Sequence, residues 1–131
     1  MQYNQIQDSD MTKCIHHCLN TYKTCLETLH YSLSHSQSSS SDLISILQLC
    51  SDACNLSARA MIADSEFHQQ SCELCFELCQ KCAEECERFP NDTILSKAAE
   101  ICRQCARTCR GMAGMTARVM TEKDKARPTL S

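Results

Sequence analysis

At 131 residues and a formal net charge of −3, the chain has room for one hydrophobic core and no more. No run of Lys or Arg supplies the footprint of a nucleic-acid binder, no apolar run has the length to cross a bilayer, and six aromatic residues without a tryptophan leave little for a stacking platform. What the composition holds in excess is sulfur: thirteen cysteines, about a tenth of the chain and well above ordinary usage.

Only Gly111, Gly114, Pro90 and Pro128 interrupt the sequence, so four long segments read as helices. Residues 1–10 form a polar N-terminal extension. The first helix runs from Asp10 or Met11 to His35, capped by Ser9 or Asp10, with Met11, Cys14, Cys18, Thr21, Cys25 and Leu29 on its inward seam. The serine-rich stretch from Ser36 to Ser41 ends it, because consecutive serines compete for backbone hydrogen bonds. A second helix begins near Asp42 and turns Leu43, Leu47, Cys50, Cys54, Ser57 and Met61 inward. Asp64 and Ser65 supply a break and a cap. The third helix then carries Ser65, His68, Cys72, Cys75, Cys79, Cys82, Cys86 and Phe89 to Pro90, whose ring stops the hydrogen-bond ladder. Asn91 or Asp92 caps a fourth helix reaching Met120, with Leu95, Ala98, Cys102, Cys105, Cys109, Met112 and Thr116 inward. The bundle thus occupies 11–121, and the charged tail 122–131 is expected to fray.

Four such helices with short connections predict an all-α fold, an antiparallel up-down-up-down four-helix bundle with a cysteine-lined core. The cysteines of the third helix recur at alternating spacings of three and four, the a and d positions of a heptad, where Leu, Ile or Val normally sit. They alone extend over about 21 Å at 1.5 Å per residue. In this topology one end of the bundle gathers Met11, Met61, His68, Met112 and Met115. The other gathers Leu29, Leu33, Leu43, Leu47, Phe89, Ile94 and Leu95, a hydrocarbon plug.

A disulfide scaffold is disfavoured. The cysteine count is odd, the N-terminus offers no apolar stretch for a signal peptide, and turn-forming residues are scarce. Reduced thiols and a cytoplasmic location are expected. An isolated buried cysteine is usually a small hydrophobe, but thirteen on four matching seams weaken a core of their own accord. Metal binding compensates, because ligation free energy feeds into folding.

Soft thiolates select Cu(I), Zn(II) or iron–sulfur clusters. The pairs Cys72/Cys75, Cys79/Cys82 and Cys102/Cys105 lie among helix formers with no glycine between them, which is seam spacing rather than a zinc knuckle. Ferredoxin-type spacing is absent. Charge separates the remaining candidates. Each Cu(I) displaces one proton, so bridging thiolates leave a filled core near neutral, whereas every tetrathiolate zinc leaves two negative charges in a dry interior. Pairs one turn apart, such as Cys14/Cys18, Cys50/Cys54, Cys75/Cys79, Cys82/Cys86 and Cys105/Cys109, have the bite for a two- or three-coordinate ion. The competing classes are zinc or iron–sulfur ligation, a disulfide-linked structural protein and a redox catalyst. The last would place one Cys-x-x-Cys at a helix N-terminus with a depressed thiol pKa.

Glycine-poor helices, cysteines on every inward seam and repeated Cys-x-x-x-Cys pairs, above all from Cys72 to Cys86, make the chain resemble the bacterial copper storage proteins. The resemblance covers roughly Met11 to Met120. It implies a non-enzymatic protein holding many Cu(I) ions through its thiolates, with Met or His ligands at a mouth, often as a homotetramer, and it extends to proteins that donate or accept copper as partners. His68, one turn before Cys72, is the expected imidazole.

Overall fold

The computed structural model describes the backbone of residues 5–114 and the side chains of 10–114. Met115, Thr116 and the expected tail 122–131 lie outside the described residues. Among the described residues, four α-helices follow in order: α1, Gln5–Ser34; α2, Ser41–Ile62; α3, His68–Cys86; and α4, Thr93–Met112. A 3-10 turn, Ser36–Ser38, lies between α1 and α2. Each helix packs on the next, and α4 returns to α1. With connections of five or six residues, this is a four-helix bundle in which α1 faces α3 and α2 faces α4 across the diagonals.

The termini show local chemistry at work. The Ser40 hydroxyl accepts from the Leu43 N–H at 3.1 Å and caps α2, and the Asp92 carboxylate does the same for Leu95 at 3.1 Å and caps α4. Each satisfies an N–H that helix geometry leaves without a partner. Asp64 takes a positive φ of 54° after α2, the left-handed conformation that Asp tolerates better than most residues.

Several expected boundaries move. α1 begins at Gln5, inside the expected extension, so Ser9 and Asp10 are helical rather than caps; no Gly or Pro before them stops the ladder. α3 is shorter than expected, beginning at His68 and ending at Cys86. Ser65 and Phe89 therefore stand outside it. The Ser65 hydroxyl instead accepts from the Phe67 N–H at 3.1 Å, forming a small turn before α3.

The leucine plug is also narrower than expected. Leu43, Leu47 and Leu95 are fully buried, while Leu33 is 67% exposed and Ile94 46% exposed. Leu29 and Phe89 pack on the core from its margin. The inward line of α1 continues through Thr28 and Ser32, both buried. These two residues extend the alternation of four and three that runs through Cys14, Cys18, Thr21 and Cys25; Leu29 and Leu33 fall one residue off it.

The loops at this end are tied together. Tyr31 Oη donates to Asp92 Oδ2 at 2.6 Å, and the Ser38 hydroxyl donates to the same oxygen. Burial would raise the Asp92 pKa, but these two donors and the N–H groups of Leu95 and Ile94 outweigh it and hold the carboxyl below its ordinary value.

Candidate metal centre

All thirteen cysteines are buried and free. Twelve of them fall into four groups whose sulfurs lie within 4.8 Å of one another. Cys14, Cys72 and Cys109 form a trio toward the start of α1 and the end of α4. Next come Cys18, Cys75, Cys105 and Cys109, then Cys54, Cys75, Cys79 and Cys105. The last group, Cys25, Cys50, Cys82 and Cys102, takes one sulfur from each helix. Cys86 is as buried as the others but belongs to none of these groups.

The groups are not separate sites. Cys109 belongs to two of them, as do Cys75 and Cys105, and Cys50 Sγ lies 3.6 Å from Cys79 Sγ, joining the deepest group to its neighbour. Individual Sγ–Sγ separations are 3.5 Å for Cys18 and Cys109, 3.5 Å for Cys54 and Cys75, 3.7 Å for Cys54 and Cys79 and 3.9 Å for Cys105 and Cys18. These are distances between thiols in contact, well beyond a disulfide's bond length of about 2.05 Å. The seam therefore closes into one continuous sulfur column.

Crowding decides how these thiols ionise. Cys109 is held above its ordinary pKa by Cys105 first, then by Cys14, Cys18 and Cys72, with burial adding to the effect. Cys82 is raised in the same way by Cys102, Cys25, Cys50 and Cys86 and by burial. Cys105 moves the other way because Cys109, and after it Cys18, Cys54 and Cys75, donate to it. Negative charge placed on one sulfur in this dry column makes the next ionisation harder, so an incoming cation is needed before many protons leave.

The expected mouth ligands are positioned unevenly. Met61 is buried at 2% exposure, and Met11 and Met112 are half-buried against the core. His68 is half-buried at the first residue of α3, and its Nδ1 lies 3.0 Å from the Ser65 carbonyl. A carbonyl only accepts, so Nδ1 carries a proton, and Nε2 is the ring nitrogen left for a ligand, the arrangement that orients a ligating imidazole. His68 nevertheless joins no group with the sulfurs. His16, His30 and His35 are exposed and His17 is half-exposed. Sequence reasoning did not mark the buried hydroxyls as part of the site. Thr21 and Ser57 are fully buried within the column, and neither has a hydrogen-bond partner.

Among the described residues, no helix is long and apolar enough to cross a membrane.

The family model described as Copper storage protein matches residues 4–114. The cysteine-rich protein YhjQ of Bacillus subtilis (strain 168) is 35% identical over 101 residues, covering 76% of this chain and 93% of that protein. Among solved structures, the Cu(I)-bound copper storage protein BsCsp3 superposes with a TM-score of 0.75 at 32% identity, over 79% of this chain and 98% of that one. The apo form of copper storage protein 3 from Bacillus subtilis gives a TM-score of 0.69 at 33% identity, over 76% and 95%. A sulfur-filled bundle matched along nearly all its described length by these relatives leaves one assignment: the chain belongs to the copper storage protein family.

Proposed function

We propose that this protein stores multiple Cu(I) ions as thiolate clusters inside its four-helix bundle. The observation that carries the reading is the continuity of the sulfur column. Cys75, Cys105 and Cys109 each serve two groups, and a shared sulfur is what a bridging thiolate requires. A set of isolated tetrahedral sites would instead keep its ligands to itself. Cu(I) also suits the electrostatics. One positive charge replaces each thiol proton, so a filled column stays near neutral in an interior that tolerates little net charge. The fold shared with a Cu(I)-bound relative supports the choice of ion.

In this reading all thirteen cysteines are ligands: Cys14, Cys18, Cys25, Cys50, Cys54, Cys72, Cys75, Cys79, Cys82, Cys86, Cys102, Cys105 and Cys109, with Cys86, outside the four groups, the weakest of them. Met11, Met61, Met112, Met115 and His68 receive ions at the mouth. Capture there is followed by ligand exchange onto the Cys14–Cys72–Cys109 trio, and each step inward trades one sulfur contact for another at similar distance. The leucines at the far end exclude water and leave the mouth as the entrance. A reducing compartment, the cytoplasm, keeps such a column in its thiol form. Assembly as a homotetramer, exchange with copper-donating or copper-accepting proteins and the absence of catalysis complete the proposal.

The test is an anaerobic titration of the reduced protein with Cu(I) against a competing chelator. Tight uptake of about ten or more ions per chain, with roughly one proton released per ion, is the expected result. Saturation at one or two ions would place the protein among chaperones or discrete-site proteins, and preference for Zn(II) over Cu(I) would refute the choice of metal.

A further inference from the structure

The four sulfur groups differ in which helices supply them, and the missing corners share a feature. The Cys14–Cys72–Cys109 trio and the Cys18–Cys75–Cys105–Cys109 group draw on α1, α3 and α4 but take nothing from α2. The Cys54–Cys75–Cys79–Cys105 group draws on α2, α3 and α4 but takes nothing from α1. Of the four, only the deepest group has a sulfur from every helix.

At each missing corner the heptad supplies a hydroxyl. On α2 the inward residue after Cys54 is Ser57, and on α1 the inward residue between Cys18 and Cys25 is Thr21. Both side chains are 0% exposed, and both hydroxyls lack a hydrogen-bond partner. Ser57 lies near the Cys72 thiol: Cys109 and, more weakly, Ser57 draw its pKa down, while Cys14 and burial outweigh them and hold it above its ordinary value. An unpartnered hydroxyl in a dry core costs free energy in the unloaded protein, and an alanine or a valine would fill the same space without that cost.

We propose that Ser57 and Thr21 are positioning residues for the loaded column, donating their O–H to thiolate sulfurs at the corners where α2 and α1 contribute none. This rests on the thiolate-storage reading above. A neutral thiol is a poor acceptor, so the hydroxyls stand idle before loading. When Cu(I) displaces the thiol proton, the sulfur becomes anionic and the contact becomes a charge-assisted hydrogen bond. Oxygen is too hard a donor to compete with sulfur for Cu(I), so the hydroxyls hold the ligands rather than the metal. They also spread the negative charge of sulfurs that bridge two ions.

The experiment compares the wild-type protein with Ser57→Ala and Thr21→Val, each of which deletes the hydroxyl while keeping the core apolar, and with Ser57→Thr and Thr21→Ser, which restore it. Three quantities are read under anaerobic conditions: unfolding of the metal-free protein, the number of Cu(I) ions bound, and the rate at which a chelator strips them. The expected result is metal-free stability equal to or above wild type, an unchanged ion count, and about ten-fold faster removal of the affected ions in the hydroxyl-less variants, with near wild-type rates in the restored pair. The sulfur-to-copper charge-transfer absorption should also move to longer wavelength, because a thiolate that loses its donor gives up charge more easily. Equal stripping rates in all five proteins would overturn the proposal, as would a rate increase fully accounted for by lower metal-free stability. Failure of the wild-type protein itself to take up Cu(I) would overturn the storage reading, and this inference with it.

Discussion

The group drawn from all four helices offers the sharpest internal comparison. Cys82 belongs to it, with Cys25, Cys50 and Cys102, whereas Cys86, one turn further along α3, belongs to none of the four groups. Both are fully buried. Truncating either to alanine removes one sulfur atom from the core, costing about 1 kcal/mol in the metal-free protein by analogy with a buried methylene and a small residual cavity. That corresponds to a fall in melting temperature of roughly 4 °C for a chain of this length. The loaded protein should separate the two. An ion held at a hundred times its dissociation constant contributes about 2.7 kcal/mol to the folded state. Losing that ion in Cys82→Ala brings the total loss to about 1 plus about 2.7, close to 4 kcal/mol. Cys86→Ala should lose little beyond the first ~1 kcal/mol. The assay is anaerobic urea denaturation followed by circular dichroism, with and without bound Cu(I), paired with metal analysis of the folded protein. Equal losses for the two variants in the loaded state would mean that the grouping of sulfurs carries no energetic weight.

Other outcomes follow from the same geometry. Eight thiols, Cys18, Cys25, Cys54, Cys72, Cys79, Cys82, Cys102 and Cys109, are held above the ordinary thiol pKa and four, Cys14, Cys50, Cys75 and Cys105, below it, so on balance folding favours the protonated form. Metal-free stability is complete below the unfolded thiol value of about 8.5 and declines as pH rises from there toward the folded values; anaerobic melts at neutral and alkaline pH should show this loss, and the Cu(I)-loaded protein should largely escape it. Asp92 has the opposite sign: its depressed pKa contributes stability above about 3.9, lost as pH falls through the folded value, and Asp92→Ala should remove it together with the α4 cap, costing about 1 kcal/mol in denaturation while leaving the ion count unchanged. His68→Ala and Met61→Leu should slow Cu(I) uptake in stopped-flow mixing with a Cu(I)–chelator complex without lowering final capacity; a proportional fall in capacity would move these residues from the entrance into the store.

The helices, their order and the inward placement of every cysteine were legible because one periodicity ran through all four segments. Pro90, the serine-rich stretch from Ser36 to Ser41 and the cap at Asp92 marked the connections for reasons confined to a few neighbouring residues. Two things were harder to read. Leu29 and Leu33 look like plug residues by composition, yet the strict alternation leads from Cys25 to Thr28 and Ser32, and register outweighed hydrophobicity. The α1 face that carries Leu33 is therefore left exposed. Which sulfurs meet across helices was beyond the sequence altogether. It depends on helix order around the bundle and on the axial offset between neighbours, and the Cys75–Cys105 sharing that makes the column continuous arises from that offset. The hydroxyls at the empty corners were visible as seam positions, but their lack of partners emerges only from the packed interior.

Whether Cu(I) is held in clusters bridged by core sulfur is decided by X-ray absorption at the copper edge of the fully loaded protein. The expected result is a first shell dominated by sulfur, with two or three ligands per ion and clear scattering from neighbouring copper. A shell of nitrogen or oxygen, or isolated ions without a copper neighbour, would contradict it.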